Sequence, residues 1–211
     1  FPYTTLFRSQ PDIAVSASFT SPTEYTVKLK KGLKFANGHA LTSSDVKFTF
    51  DRQLKINDPN GPASLLGNLA STSDPNPTTV VFHLKNGNDQ TFPQVLSSPA
   101  GPIVDEQSFS ADKVTPDKTI VKDDAFAGQY KITKYDFNNL VSFTANPNYR
   151  GLLGPAKTKN IDLKYYTSSS NMKLDIQQGN IDVAARAFSA TDVASLQANT
   201  KKVNVVVGPG G

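Results

Sequence analysis

Glu24-Tyr-Thr-Val-Lys-Leu-Lys-Lys-Gly-Leu-Lys-Phe-Ala-Asn-Gly-His-Ala-Leu-Thr-Ser-Ser-Asp-Val-Lys-Phe-Thr-Phe-Asp-Arg52 is the stretch from which the rest of the chain is ordered. Tyr25, Val27 and Leu29 alternate with Thr26, Lys28 and Lys30, a period of two that places the apolar groups on one face of a strand. Lys31-Gly32 interrupts the run, and Leu33 and Phe35 resume it. Asn37-Gly38 reads as a turn, because both residue types tolerate a positive φ. Thr42 stands three residues before Asp45, the spacing of a helix N-cap with an acidic third position. Val46, Phe48 and Phe50 then supply apolar groups, although a spacing of two suits a helix imperfectly.

Strand, turn, cap and helix in this order resemble the signature of the family 5 extracellular solute-binding proteins, the oligopeptide, dipeptide and nickel receptors of ABC importers. Tyr25, Leu29, Lys30, Gly32, Leu33, Phe35, Gly38, Leu41, Thr42, Asp45 and Val46 carry the resemblance. It implies a mixed α/β fold of the type II periplasmic-binding-protein kind, here truncated. Residues 10–101 would form a small α+β accessory domain and residues 102–211 part of the first ligand-gripping lobe. The second lobe would be missing.

Upstream, Phe1–Ser9 resembles a translated sequencing-library adapter and is set aside; a strand over Thr4–Phe7 is the alternative reading. On that basis the absence of a signal peptide says nothing about export. The formal charge is +4, from 22 basic and 18 acidic residues. The lysines are scattered instead of being massed beside aromatics, which argues against a nucleic-acid groove. The chain has no cysteine, which excludes a disulfide framework and a thiolate metal site. No apolar run approaches the roughly 20 residues of a membrane span.

Downstream, Asp58-Pro59-Asn60-Gly61 is a turn and Pro62–Leu69 a short helix with Leu65, Leu66 and Leu69 apolar. Leu65 is expected in the core, while the resemblance brings Ser64 toward the ligand cleft. Asp74-Pro75-Asn76-Pro77 reads as a turn and Thr79–Leu84 as a strand, which the resemblance pairs with Tyr25–Leu29. Gln90–Leu96 reads as a helix, and Ser97-Ser98-Pro99-Ala100-Gly101-Pro102 as the crossing between domains. Gln129–Tyr135 and Leu140–Ala145 flank Asp136-Phe137-Asn138-Asn139 as a hairpin. The hairpin and the following Asn146-Pro147-Asn148-Tyr149 resemble a block of the same family, with Gln129 and Arg150 as departures. Asn160–Tyr166 alternates as a strand. Ser168–Ser170 can cap a helix over residues 171–178, closed by Gly179 in the left-handed region. Strands over Ile181–Ala184 and Val203–Val207, with a Ser189-capped helix between them, predict a parallel α/β sheet.

No Gly-x-Ser-x-Gly elbow, His-Glu-x-x-His, phosphate loop or EF-hand loop occurs. His39 is expected exposed in its turn and His83 on a strand; without a clustered third ligand type they make a poor metal site. Neither enzymatic activity, a cofactor nor a metal is expected. The resemblance implies binding of a peptide or other small solute. Its site would be the loop Ala185-Arg186-Ala187-Phe188, where backbone groups can meet an extended peptide and Arg186 a carboxylate. It further implies ABC permease partners, a monomer, and a periplasmic or cell-surface location held only by a lost N-terminal lipid anchor. A secreted β-rich adhesion or carbohydrate-binding module is the alternative, favoured if one sheet face presents exposed aromatics. A hydrolase would need His39 or His83 within hydrogen-bond reach of a Ser or carboxylate in a pocket.

Overall fold

The computed structural model describes residues 10–185, 188–199 and 202–206. The opening strand forms as β2 (Glu24–Leu29), with Tyr25, Val27 and Leu29 buried and Lys28 in solvent. It is flanked by β1 (Ala14–Ser21) and β4 (Thr79–Leu84), and β3 (Leu69–Asn76) closes the far edge. The order is β1-β2-β4-β3 with every pair antiparallel, and Tyr25 faces Phe82 while Val27 faces Val80. The apolar members of the two central strands therefore share one face. Across β2 and β1, Thr26 pairs with Ser18 and Lys28 with Ser16, so a polar face turns outward.

α1 (Ser43–Ile56) begins with the expected reciprocal cap. Thr42 Oγ1 accepts the Ser44 N–H at 3.2 Å, and Asp45 Oδ2 accepts the Thr42 N–H at 2.8 Å. Val46 and Phe50, four apart, face the sheet; Phe48 is only half buried, which resolves the imperfect helical spacing. Phe50 meets Phe82 edge to face at 4.9 Å between ring centres, and Tyr25 meets Phe92 at 5.8 Å. Such pairs add about 0.5–1.5 kcal/mol each beyond the area they bury. Leu33, Phe35, Leu41, Leu66, Leu69 and Ala100 complete this core.

The same helix has a buried polar side. Ser43 Oγ donates to Asn76 O at 2.6 Å, Thr49 Oγ1 accepts the Val104 N–H at 3.0 Å, and Asp45 Oδ1 accepts the Glu106 N–H at 3.2 Å. Burial pushes the Asp45 carboxyl up, above its ordinary value, despite the two N–H groups that favour its charge. The bonds to Val104 and Glu106 hold the segment after residue 101 against the helix.

Several expectations need correction. Leu65 is 45% exposed at the end of a 3₁₀ turn (Pro62–Leu66), and Leu66 and Leu69 fill the core instead. β3 runs through Asp74-Pro75-Asn76, with the turn displaced to Pro77-Thr78; β3 is an edge strand, where the missing Pro75 N–H breaks no ladder. The helix over 90–96 shrinks to α2 (Phe92–Val95). α3 (Asp117–Asp123) arises where no element is expected and buries no residue fully, so it carries little periodic signal.

The hairpin forms as β5 (Tyr130–Asp136) and β6 (Leu140–Ala145), with Asn138 in the left-handed region at φ 57°. With β7 (Asn160–Lys164) they make a sheet of order β5-β6-β7. The Asn-Pro-Asn-Tyr block is structural. Asn146 Nδ2 donates to Gly128 O at 2.8 Å, Asn148 Nδ2 to Phe35 O at 2.9 Å, and the Tyr149 hydroxyl to Asp12 Oδ1 at 2.5 Å.

α4 (Ser169–Gln178) and α5 (Ala190–Gln197) form with the expected caps, Ser168 and Ser189, and Gly179 closes α4 at φ 77°. The strands expected to alternate with them do not. Residues 181–184 and 203–206 are irregular, and Val183 and Val206 are 80% and 84% exposed. A strand is held by a ladder partner for its N–H and C=O groups, and the described residues supply none beside these segments. The mixed α/β class stands; the parallel sheet does not form among the described residues.

By contact the chain divides into two units. The first holds the described residues to Asp136 with Val141–Asp162, and the second Phe137–Leu140 with those from Leu163 onward. The first has its core in residues 25–100, and the crossing expected near Gly101 lies inside it.

Candidate functional site

The second unit contains a hollow of about 500 Å³ walled by residues 163–167, Ser169, Met172 and Ala185. β7 supplies Leu163 and Lys164, and the chain leaving it supplies Tyr165, Tyr166 and Thr167. α4 supplies Ser169 at its first turn and Met172 on its buried face. The polar groups are fixed by Asp175 on the same helix. Its Oδ2 accepts from Lys164 Nζ at 2.8 Å and from the Tyr166 hydroxyl at 2.5 Å, while Oδ1 accepts from Asn180 Nδ2 at 3.1 Å. Lys164 also lies 4.7 Å from the Tyr166 ring centre. The Lys164 ammonium first, then Tyr166 and Asn180, hold the Asp175 carboxyl far below the usual carboxylate range. The wall therefore combines aromatic, thioether and methyl surface with hydroxyls, around a cation whose charge is met by Asp175. Apolar and aromatic surface with a few placed polar groups is the character of small-ligand sites.

Of the residues expected at the site, Ala185 lines this hollow and Phe188 is half buried. Arg186 and Ala187 lie outside the described residues. Ser64 belongs to the first unit, exposed on its 3₁₀ turn. Lys164, Tyr165 and Tyr166 line the hollow without any sequence signal for it, because an alternating strand end gives no sign of what stands beside it.

Both histidines have partners that sequence spacing could not show. His39 Nδ1 lies 2.8 Å from Oδ2 of Asp105, which also accepts from Asn37 Nδ2 and Ser108 Oγ, each at 2.8 Å. Oδ1 accepts the Gln107 N–H at 3.0 Å. A carboxylate only accepts, so the His39 hydrogen sits on Nδ1. Burial pushes the Asp105 carboxyl up, but the bonds from Asn37, Ser108, Gln107 and His39 outweigh it and hold the group below its ordinary value.

His83 Nε2 lies 3.0 Å from Ser73 Oγ, and its Nδ1 3.4 Å from Glu24 Oε1. The Ser-His-carboxylate order is that of a hydrolytic triad. However, the three side chains come from neighbouring strands of one sheet, and neither this trio nor His39 lines either of the two hollows described for this chain. Among the described residues no group of three or more His, Asp or Glu is placed to hold a metal ion, and no helix is long and apolar enough to cross a membrane.

Against known proteins, the family model for bacterial extracellular solute-binding proteins, family 5 Middle, matches residues 9–211. The Escherichia coli protein named "Probable D,D-dipeptide-binding periplasmic protein DdpA" is 28% identical over 192 residues, 88% of this chain and 35% of that protein. A Brucella ovis protein named as a candidate ABC transporter peptide-binding protein is 29% identical over 162 residues, 74% of this chain and 29% of its own length. The chain thus spans about a third of the curated relatives it matches. Among solved structures, a Clostridium difficile peptide-binding protein candidate, AppA, superposes with a TM-score of 0.73 at 22% identity, over 90% of this chain and 39% of that one. DppA of Helicobacter pylori, solved with the peptide STSA, gives 0.70 at 16% identity over 88% and 39%. NikZ of Campylobacter jejuni, solved with Ni(L-His), gives 0.69 at 21% over 82% and 34%. At these identities the likeness is one of fold, and it spans proteins solved with a peptide and with a nickel chelate.

Proposed function

Because the chain belongs to the bacterial extracellular solute-binding proteins of family 5, we propose that it is part of a receptor that delivers a solute, an oligopeptide or dipeptide, to an ABC importer. The observation that carries this is the hollow of the second unit, with Ala185 on its wall at the head of the expected ligand loop. In this reading Ala185, Arg186, Ala187 and Phe188 form one side of the cleft. Residues 10–101 form the accessory domain and residues 102–211 part of the first lobe. Backbone groups of the loop pair with an extended peptide, which leaves side-chain preference loose, and Arg186 receives a carboxylate. The receptor closes around its ligand and docks on the permease in the closed form. It works as a monomer outside the cytoplasm, tethered through a lipid anchor.

The carbohydrate-module reading finds no support in the outer face of the first sheet. Ser16, Ser18, Thr26 and Lys28 occupy it where stacking aromatics would be needed. The test is Arg186→Ala in a longer receptor carrying this segment. Dipeptide affinity is expected to drop about tenfold or more, the worth of a charge-assisted pair; an unchanged affinity removes Arg186 from the site.

A further inference from the structure

Among the described residues that wall the hollow of the second unit, Lys164 is the one charged side chain. An ammonium facing an open space would on its own draw acidic solutes. Here its charge is met from behind the wall. Asp175 Oδ2 accepts from Lys164 Nζ at 2.8 Å and from the Tyr166 hydroxyl at 2.5 Å, and Oδ1 accepts from Asn180 Nδ2 at 3.1 Å. The Lys164 side chain is 49% exposed and that of Asp175 19%, so the cation stands forward and the anion is set back.

The helix itself gives no reason for an acid at this position. Residue 175 lies in the last turn of α4, where the partial charge of the helix is negative and disfavours a carboxylate. Met172, three residues earlier, is on the wall of the hollow, so α4 carries Met172 and Asp175 on one face. The carboxylate is thus placed against its own helix dipole and toward the two polar groups that line the hollow beside Leu163 and Tyr165.

We propose that Asp175 is a positioning residue that sets the charge preference of this hollow: by neutralising Lys164 it selects peptides whose side chain in the hollow is uncharged. This deepens the peptide-receptor reading and rests on it. An acidic side chain has to compete with Asp175 for Lys164, and a basic one with Lys164 for Asp175. Either brings a charge out of water without gaining a partner of its own.

The test titrates Ala-Met-Ala, Ala-Glu-Ala and Ala-Lys-Ala into the ¹⁵N-labelled chain and follows the amides of residues 163–167 and Ala185. The peptides share their termini and differ in one unbranched side chain. In the wild type Ala-Met-Ala is expected to bind about threefold or more tighter than either charged peptide, the scale of a half-exposed ion pair. Asp175→Asn frees Lys164, and Ala-Glu-Ala should then overtake Ala-Met-Ala. Lys164→Gln leaves Asp175 uncompensated, and Ala-Lys-Ala should then overtake it. The double variant should restore the neutral preference. Both swaps should fade near 1 M salt, where the screening length is about 3 Å; a mere change of shape would not respond so. The proposal is overturned, with the peptide reading intact, if the wild type ranks a charged peptide first, if the single variants keep the wild-type ranking, or if the swaps survive high salt. If no peptide moves these amides in the wild type, the peptide reading itself fails and the proposal falls with it.

Discussion

His39 Nδ1 and Asp105 Oδ2, 66 residues apart in sequence, lie 2.8 Å from each other, and the Asp105 side chain has no exposed surface. Asp105 gathers the turn at Asn37-Gly38 and the chain at residues 107–108 onto one carboxylate. The histidine that invites a catalytic reading is thus one of four donors to a structural anion.

Asp105→Asn would set an NH₂ group against donors where Oδ1 or Oδ2 now accepts. The expected loss is about 2–3 kcal/mol, the cost of buried donors left without an acceptor, measured by urea unfolding at neutral pH. The pH dependence follows from the sign of the shift. The folded-state pKa of Asp105 lies below its ordinary value, so its contribution is fully present above the unfolded value of about 4 and disappears as pH falls through the folded one. The stability gap between wild type and Asp105→Asn should be present at pH about 5 and close as pH falls below about 4. A gap that persists well below pH about 4 would show that the carboxylate is not the form that stabilises the fold.

Thr42→Ala removes the acceptor for the Ser44 N–H and leaves Asp45 to cap alone. A loss of about 1–2 kcal/mol is expected, with Thr42→Ser near neutral. Thermal melts of the three proteins decide it: equal melting of Thr42→Ala and wild type would mean that Asp45 suffices.

Two glycines are required for different reasons, and alanine should separate them. Gly38 has φ 94° with open space around it, so Gly38→Ala costs only backbone strain, about 1–2 kcal/mol. A Cβ at Gly101 would instead run into the backbone carbonyl of Leu96. Backbone cannot swing aside as a side chain can, so Gly101→Ala should cost at least as much, at about 2–3 kcal/mol. Chemical denaturation of both variants tests the ordering; a neutral Gly101→Ala would mean that the 96–101 turn has room to move.

What the sequence disclosed follows where single residues carry unambiguous local instructions. Tyr25, Val27 and Leu29 declared a strand through their period, Thr42 and Asp45 a helix start through their chemistry, and Gly179 a helix stop through its conformation. Ile181–Ala184 carries an equally plain apolar pattern and is not a strand, because a strand is completed by a neighbour and the described residues supply none. β1 went unseen because Ala14-Val-Ser-Ala-Ser-Phe-Thr-Ser21, as an edge, buries little and so needs little apolar periodicity. Of the candidate site, Ala185 was legible through the family pattern alone. Lys164, Tyr166 and Asp175 were not, since a hydrogen bond between a strand end and a helix eleven residues on leaves no mark in local spacing.

The most direct test titrates a pool of di- to pentapeptides into the 211-residue chain and follows the amides of residues 163–167 and Ala185. On the proposed reading, shifts are confined to that hollow and binding stays weaker than micromolar. No change at these residues, or saturation already at micromolar peptide, would contradict the assignment of this hollow as half of a solute-binding cleft.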